Sequence, residues 1–142
     1  MNFPVPEAGL VISYSYLWSE EAAADRTEGR KARPCAIIVV VTQSAGTAPT
    51  VVVAPMTHTL PREPAGAVEI PVSIKRDLGL DDDRSWVVVD DLNVFQWPGF
   101  DLRPIPGSRD RYDYGFVPPR FFEAIKARLI ERRRELSQTR RD

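Results

Sequence analysis

Arg33 and Thr57 close on two apolar runs, Cys35–Thr42 and Val51–Met56, which are joined by a turn over Gln43–Thr50 containing Gly, Ser and Pro. Consecutive strands usually lie side by side. An antiparallel pair would therefore bring Arg33 and Thr57 to the same end of a sheet. A guanidinium grips an oxyanion with two prongs and a hydroxyl adds a further hydrogen bond, which is the chemistry of a phosphate site. His58 follows Thr57, and an imidazole changes charge near neutral pH and can carry a proton. Each residue also has a plainer reading. An Arg-Pro can be a rim residue paired with an acid, a Thr at a strand end a turn former, and a His in a polar turn simply solvated. The sequence has no Gly-rich phosphate loop, Ser-His-Asp set or metal-ligand spacing. With one cysteine and one histidine there is no Cys or His cluster for a metal. Neither a metal nor a cofactor is expected. Cys35 reads as a small core residue, Asp81-Asp82-Asp83 as a solvated turn, and Trp18, Trp86 and Trp97 as core or interface residues.

The elements that must position these residues come from a chain of 142 residues, 43% apolar, which suits one domain with one core. A formal charge of −1 excludes a uniformly basic coat, so any nucleic-acid site is a local patch. The longest apolar run, Ala36–Val41, is too short to span a membrane. Met1–Glu7 lacks a basic flank followed by an apolar stretch, so no signal peptide and a cytoplasmic location are expected.

Leu10–Trp18 alternates apolar and small residues and reads as a half-buried strand opened by Gly9. Ser19–Ala32, with four acids and three bases and no apolar period, reads as a long mobile loop, with at most a helical turn at Ala22–Ala24. Cys35–Thr42 is a strand buried on both faces, and Val51–Met56 is a second buried run. Val68–Val72 is a short edge strand, Ser73–Leu80 one or two helical turns ending at Gly79, Ser85–Leu92 another strand and Leu102–Ile105 a weaker one. Phe121, Ile125 and Leu129 repeat every four residues after Pro118-Pro119, which marks an amphipathic helix. From Arg120 to Asp142 there are eight bases and four acids, so a basic helix is appended to an acidic body. Five or six short strands and a closing helix imply a small, twisted, mainly β barrel with the helix beside it.

The ordered set Gly9-Leu10-Val11-Ile12, Arg33-Pro34-Cys35-Ala36-Ile37-Ile38-Val39 and Val52-Val53-Ala54-Pro55-Met56-Thr57 resembles the PemK/MazF toxins of bacterial type II toxin–antitoxin pairs. Leu78-Gly79-Leu80, Ser85 and the strand to Leu92 continue the likeness, which covers roughly Gly9–Phe95 and, by position, the closing helix. The resemblance implies an SH3-like barrel with a C-terminal amphipathic helix. It places a single domain over 1–142, with the barrel at about 8–117 and the helix at about 118–137. It also implies a homodimer, restraint by an antitoxin peptide, DNA binding together with that antitoxin, and growth inhibition. The implied activity is metal-independent cleavage of single-stranded RNA. Arg33 matches the family's catalytic arginine and Thr57 its conserved hydroxyl, while Asp90 falls near an acid used by some members. Where the family carries a further Arg, this chain has Asn93.

Under that resemblance RNA supplies its own nucleophile, the 2′-OH. Arg33 would stabilise the pentacoordinate phosphate and Thr57 would hold a non-bridging oxygen. Asp90 or His58 would take the 2′-OH proton, leaving a 2′,3′-cyclic phosphate and a 5′-OH. Arg30, Lys31, Thr59 and Asn93 are the expected RNA contacts, and Ser19–Ala32 is expected to act as a lid over bound RNA. The alternative is a catalytically inactive module that binds RNA or, like the gyrase-poisoning relatives, a protein. The plainest reading is a structural domain with a basic helix. Trp18, Trp86, Trp97 and Phe95, placed at strand ends and loops, are the expected surface of an isologous dimer.

Overall fold

The computed structural model describes residues 2–24 and 31–142. Strands β1 (Leu10–Ser15), β2 (Ala32–Val41) and β3 (Thr50–Thr57) form an antiparallel meander at the centre of the sheet. Their Val- and Ile-rich composition suits a pleated, buried surface. β2 and β3 pair from Cys35↔Pro55 to Val41↔Thr50, with one irregularity between Ile37 and Val39. Gly9 opens β1 at φ 92, a left-handed conformation that favours glycine. There its N–H donates to the Ile37 carbonyl at 2.8 Å and its own carbonyl accepts from Val117 N–H at 3.0 Å, closing the strand start on two sides.

The rest of the sheet departs from the sequence reading in specific places. Ser85–Leu92 is not one strand. It divides into β5 (Trp86–Val88) and β6 (Asp91–Gln96), which occupy successive halves of the same edge of β3. The interruption at Val89-Asp90 lets the sheet bend around the core. β4 (Ala67–Glu69) pairs with β5, and Ile70-Pro71 leads into a short helix, α2 (Val72–Asp77), before Gly79 at φ 71. Leu102–Ile105 yields only a single bridge, Leu102 to Tyr14. β7 (Asp113–Phe116) pairs with β1, although its Asp and Gly hide it from a hydrophobic pattern. Part of the expected loop is helical: α1 spans Ser19–Ala23. The remainder of that loop, 25–30, lies outside the described residues.

The C-terminal helix, α3 (Pro119–Glu131), is shorter than the sequence implies. Four residues past Leu129 the apolar stripe reaches Arg133, so nothing remains to bury. Arg132 grips Asp90 instead, and Ser137 N–H donates to the Asp90 carbonyl at 2.8 Å. The chain then returns as β8 (Ser137–Arg140), parallel to β6. The sheet thus has eight strands in the order β4-β5-β3-β2-β1-β7, with β6 also on β3 and β8 on β6, and the fold is the expected small, mainly β barrel with a C-terminal helix.

β1 is buried along its whole length, not half-buried. One face of the meander, through Val11, Ala36, Ile38, Ala54 and Met56, packs against Ile74, Phe121 and Ile125 of the helices. The other face, through Ile12, Tyr14, Cys35, Ile37 and Val53, is covered by Phe95, Leu102 and Tyr112. Phe95 and Trp86 are therefore core residues, while Phe100, 84% exposed, is the most open large apolar side chain among those described.

Asp90 fills the space in front of Gly66, where any Cβ would run into its carboxylate. Gly66→Ala is expected to push Asp90 off Arg132 and to lower unfolding free energy by about 1–3 kcal/mol, the usual cost of overpacking, as measured by chemical denaturation.

Candidate functional site

Continued two residues beyond Cys35↔Pro55, the β2–β3 register sets Arg33 opposite Thr57. Both line a cleft of about 930 Å³ at that end of the sheet, together with Trp18, Lys31, His58, Thr59 and Arg62. Among the described residues the cleft lining holds four bases, Lys31, Arg33, Arg62 and Lys75, against two acids, Glu20 and Asp81. An acidic chain thus presents a locally basic concavity, the kind of field that attracts a phosphate backbone.

Arg33 is placed from both sides. Its guanidinium lies over the Trp18 ring, 5.2 Å from the centroid. Its Nε is buried without a hydrogen-bond partner among the described residues. An unpaired N–H on a permanent cation is costly, and an anion bound beside the guanidinium would offset part of that cost through its charge. Trp18 is held by the linker between β1 and α1, and that linker is tied to β6. Leu17 N–H donates to Asn93 Oδ1 at 3.0 Å, and Asn93 Nδ2 donates to the Leu17 carbonyl at 2.8 Å. Tyr16 OH donates to Asp91 Oδ1 at 2.6 Å, while the N–H and hydroxyl of Ser19 donate to Asp91 Oδ2 at 3.1 and 2.7 Å.

The opposite wall is a polar relay. His58 Nε2 lies 2.8 Å from Asp81 Oδ2. Asp81 Oδ1 accepts from Lys75 Nζ at 2.6 Å, and Lys75, only 2% exposed, also donates to Ser85 Oγ at 2.7 Å and to the Asp83 carbonyl. The Lys75 hydrogen bond holds the Asp81 carboxyl below the usual carboxylate range. Thr57 Oγ1 accepts from Thr59 N–H at 3.1 Å, which orients the hydroxyl and leaves its hydrogen to donate. Burial pushes the Cys35 thiol well up, so it has no nucleophilic character at neutral pH. His58, Asp81 and Asp83 are the one described group whose ligand atoms all lie within 4.8 Å. Both oxygens of Asp81 are already engaged there, one of them by an ammonium.

Arg33, Thr57, His58, Thr59 and Lys31 therefore converge on one cleft. Arg30 lies outside the described residues. Asp90 and Asn93 are not among the cleft-lining residues, and both readings need correction. Asp90 is locked to Arg132 at 2.8 Å, so it is a brace between the barrel and α3 rather than a base. Asn93 is 0% exposed and its amide is spent on Leu17, so no RNA can reach it in this arrangement. Sequence reasoning passed over Lys75, Asp81, Ser85 and Asp91. Lys75 falls in a segment that reads only as one or two helical turns, and Asp81 in a solvated turn; only the fold turns the lysine inward.

Residues 18–98 match the family model of the PemK-like, MazF-like toxins of type II toxin–antitoxin systems. The chain belongs to that family. No curated protein matches it significantly. As a PemK/MazF-like toxin it has an antitoxin as its implied partner. Among the described residues no helix is long and apolar enough to cross a membrane. The family match begins at Trp18 and takes in the whole of β2, β3 and the relay at Lys75, Asp81 and Ser85, so the cleft of this toxin lies largely within the matched segment.

Asn93→Ala leaves the N–H and carbonyl of Leu17 without their partner. Unfolding free energy should fall by about 2–4 kcal/mol, since each buried orphan costs about 1–3 kcal/mol, with the loss read as a lowered Tm.

Proposed function

We propose that this toxin is a metal-independent endoribonuclease that cleaves single-stranded RNA. The observation that carries the proposal is the juxtaposition of Arg33 and Thr57 in a basic cleft, with the Arg33 Nε lacking a partner among the described residues. RNA brings its nucleophile with it, so the protein need only orient a phosphate, neutralise its charge and move protons. Arg33 binds the phosphate and stabilises the charge that builds in the pentacoordinate state, and Thr57 donates to a non-bridging oxygen. His58 takes the 2′-OH proton as the O2′–P bond forms and the P–O5′ bond breaks. O5′ leaves as a hydroxyl by taking a proton from solvent, while the Arg33 guanidinium, which keeps its protons, stabilises the departing charge. The products are a 2′,3′-cyclic phosphate and a 5′-OH. Lys31 and Thr59 contact the RNA beside the scissile phosphate. Asp90, tied to Arg132, takes no proton in this scheme.

Purified protein incubated with RNA in the presence of a chelator should cut it, leaving 5′-OH ends. Arg33→Ala should lower kcat by about 100-fold or more, as expected when a principal oxyanion donor is removed. A 5′-phosphate product would overturn the mechanism. Intact RNA at high protein concentration would point instead to a toxin that acts by binding RNA or a protein. We further propose that the protein works as a homodimer in one domain per chain, which light scattering at micromolar concentration should report as twice the chain mass.

A further inference from the structure

Lys75 is a cation sunk beneath the cleft, and every one of its three N–H donors is used, on Asp81 Oδ1, Ser85 Oγ and the Asp83 carbonyl. It has no acceptor capacity. Asp81 is therefore gripped on one oxygen, and its other oxygen points at His58 Nε2 at 2.8 Å. The pair sits at the start of a relay that ends on the one histidine of the chain.

We infer that Lys75 and Asp81 are positioning residues that fix the tautomer of His58. A carboxylate only accepts, so it selects the neutral imidazole that carries its proton on Nε2. Nδ1, which has no hydrogen-bond partner among the described residues, is left as the basic nitrogen for the 2′-OH proton. Lys75 supplies the compensating charge that keeps Asp81 ionised and stops its carboxyl rotating toward solvent. Ser85 and the Asp83 carbonyl hold the ammonium from behind. The inference rests on the ribonuclease reading for its chemistry, and on the 2.8 Å contact between His58 Nε2 and Asp81 Oδ2 for the tautomer.

Asp81→Asn tests this because the two donors on Oδ1, the Lys75 ammonium and the Asp83 N–H at 3.1 Å, decide which way the new amide faces. The ammonium can only donate, so the amide oxygen must turn to Lys75 and its NH₂ to His58. That amide donor forces Nε2 to accept and moves the imidazole proton to Nδ1. Lys75→Met in the same chain removes the charged donor and leaves only the Asp83 N–H, so the amide oxygen divides between that N–H and Nε2.

The tautomer is read on the full-length protein by nitrogen-15 NMR of its single histidine, with the pH raised until the ring resonances stop moving. RNA cleavage is followed in parallel as separate kcat and KM values. The parent protein should show the Nε2–H form and Asp81→Asn the Nδ1–H form. The kcat of Asp81→Asn should fall by about 100-fold with KM within about twofold, as for loss of a general base. The double variant should recover part of the Nε2–H population and part of kcat. An Nδ1–H imidazole in the parent, or an unchanged tautomer in Asp81→Asn, would overturn the positioning role. Parental kcat in an Asp81→Asn protein whose tautomer has switched would overturn its catalytic meaning while leaving the ribonuclease reading intact. The expected tautomers in a parent protein that leaves RNA uncut would support the relay and remove the ribonuclease reading instead.

Discussion

The pairing of β2 with β3 is the constraint on which the site depends. Side chains alternate across a strand, and a slip of one residue would exchange every inward and outward position on it. Beyond Ile38 the strand expected to be buried on both faces exposes Val39 and Val41. From Cys35↔Pro55 to Ile37↔Val53, however, the two strands bury side chains on both faces, Ala36 and Ala54 toward the helices and Cys35 and Val53 toward the aromatic cluster. With both faces enclosed, neither strand can slide without driving a large residue into a space shaped for a small one. Arg33 and Thr57 inherit that rigidity, because they stand at the ends of the same two strands. Their opposition comes from the core and requires no contact between them.

What the core does not fix is the aim of the side chains, and here polar groups buried at the barrel's edge take over. Asp91 and Asn93 hold the Tyr16–Ser19 linker, the linker carries Trp18, and Trp18 lies against the guanidinium of Arg33. On the other wall Lys75 holds Asp81 and Asp81 holds His58. In both cases a group with full hydrogen-bond satisfaction behind the cleft orients a group with spare capacity inside it. That division matters in a low-dielectric recess, where an unsatisfied group is costly and a pre-oriented one is strongly felt by a bound charge. Among the described residues that cost is left standing at Arg33 Nε and, in the core, at the Tyr14 hydroxyl.

The parts of this arrangement that follow a local pattern were legible in the sequence. The apolar runs of β2 and β3, the turn between them and the stripe of α3 all obey a period, and from them the Arg33–Thr57 end of the cleft follows. The parts set by tertiary pairing were not. β8 is Ser-Gln-Thr-Arg, with nothing in its composition to suggest a strand, and it exists because β6 has an open edge beside the exit from α3. β5 and β6 read as one apolar run because the break falls at Asp90, whose role depends on an arginine 42 residues away. The His58–Asp81–Lys75 relay joins the end of β3 to α2 and the turn after it, and no spacing rule links those positions.

Asn93 shows most directly how position and place can diverge. The resemblance to PemK/MazF toxins leads one to look there for an arginine, and the sequence supplies an amide. The fold nevertheless brings a guanidinium to the same spot: Arg141, just past β8, donates to Asn93 Oδ1 at 3.3 Å and to the Ser15 carbonyl at 2.9 Å. It also pairs with Asp101 at 2.9 Å and is itself 3% exposed. A charge buried this far is tolerated only with a partner and satisfied donors, and once so tied it has little left to offer a substrate. The arginine at this corner therefore serves the barrel, pinning the C-terminal strand, the 97–112 segment and the end of β1 together. Positive charge for a phosphate must come from the cleft itself. That concentrates the work on Arg33, with Lys31 and Arg62 as the remaining bases there that no buried relay engages, and it makes the orientation of the single histidine correspondingly more consequential.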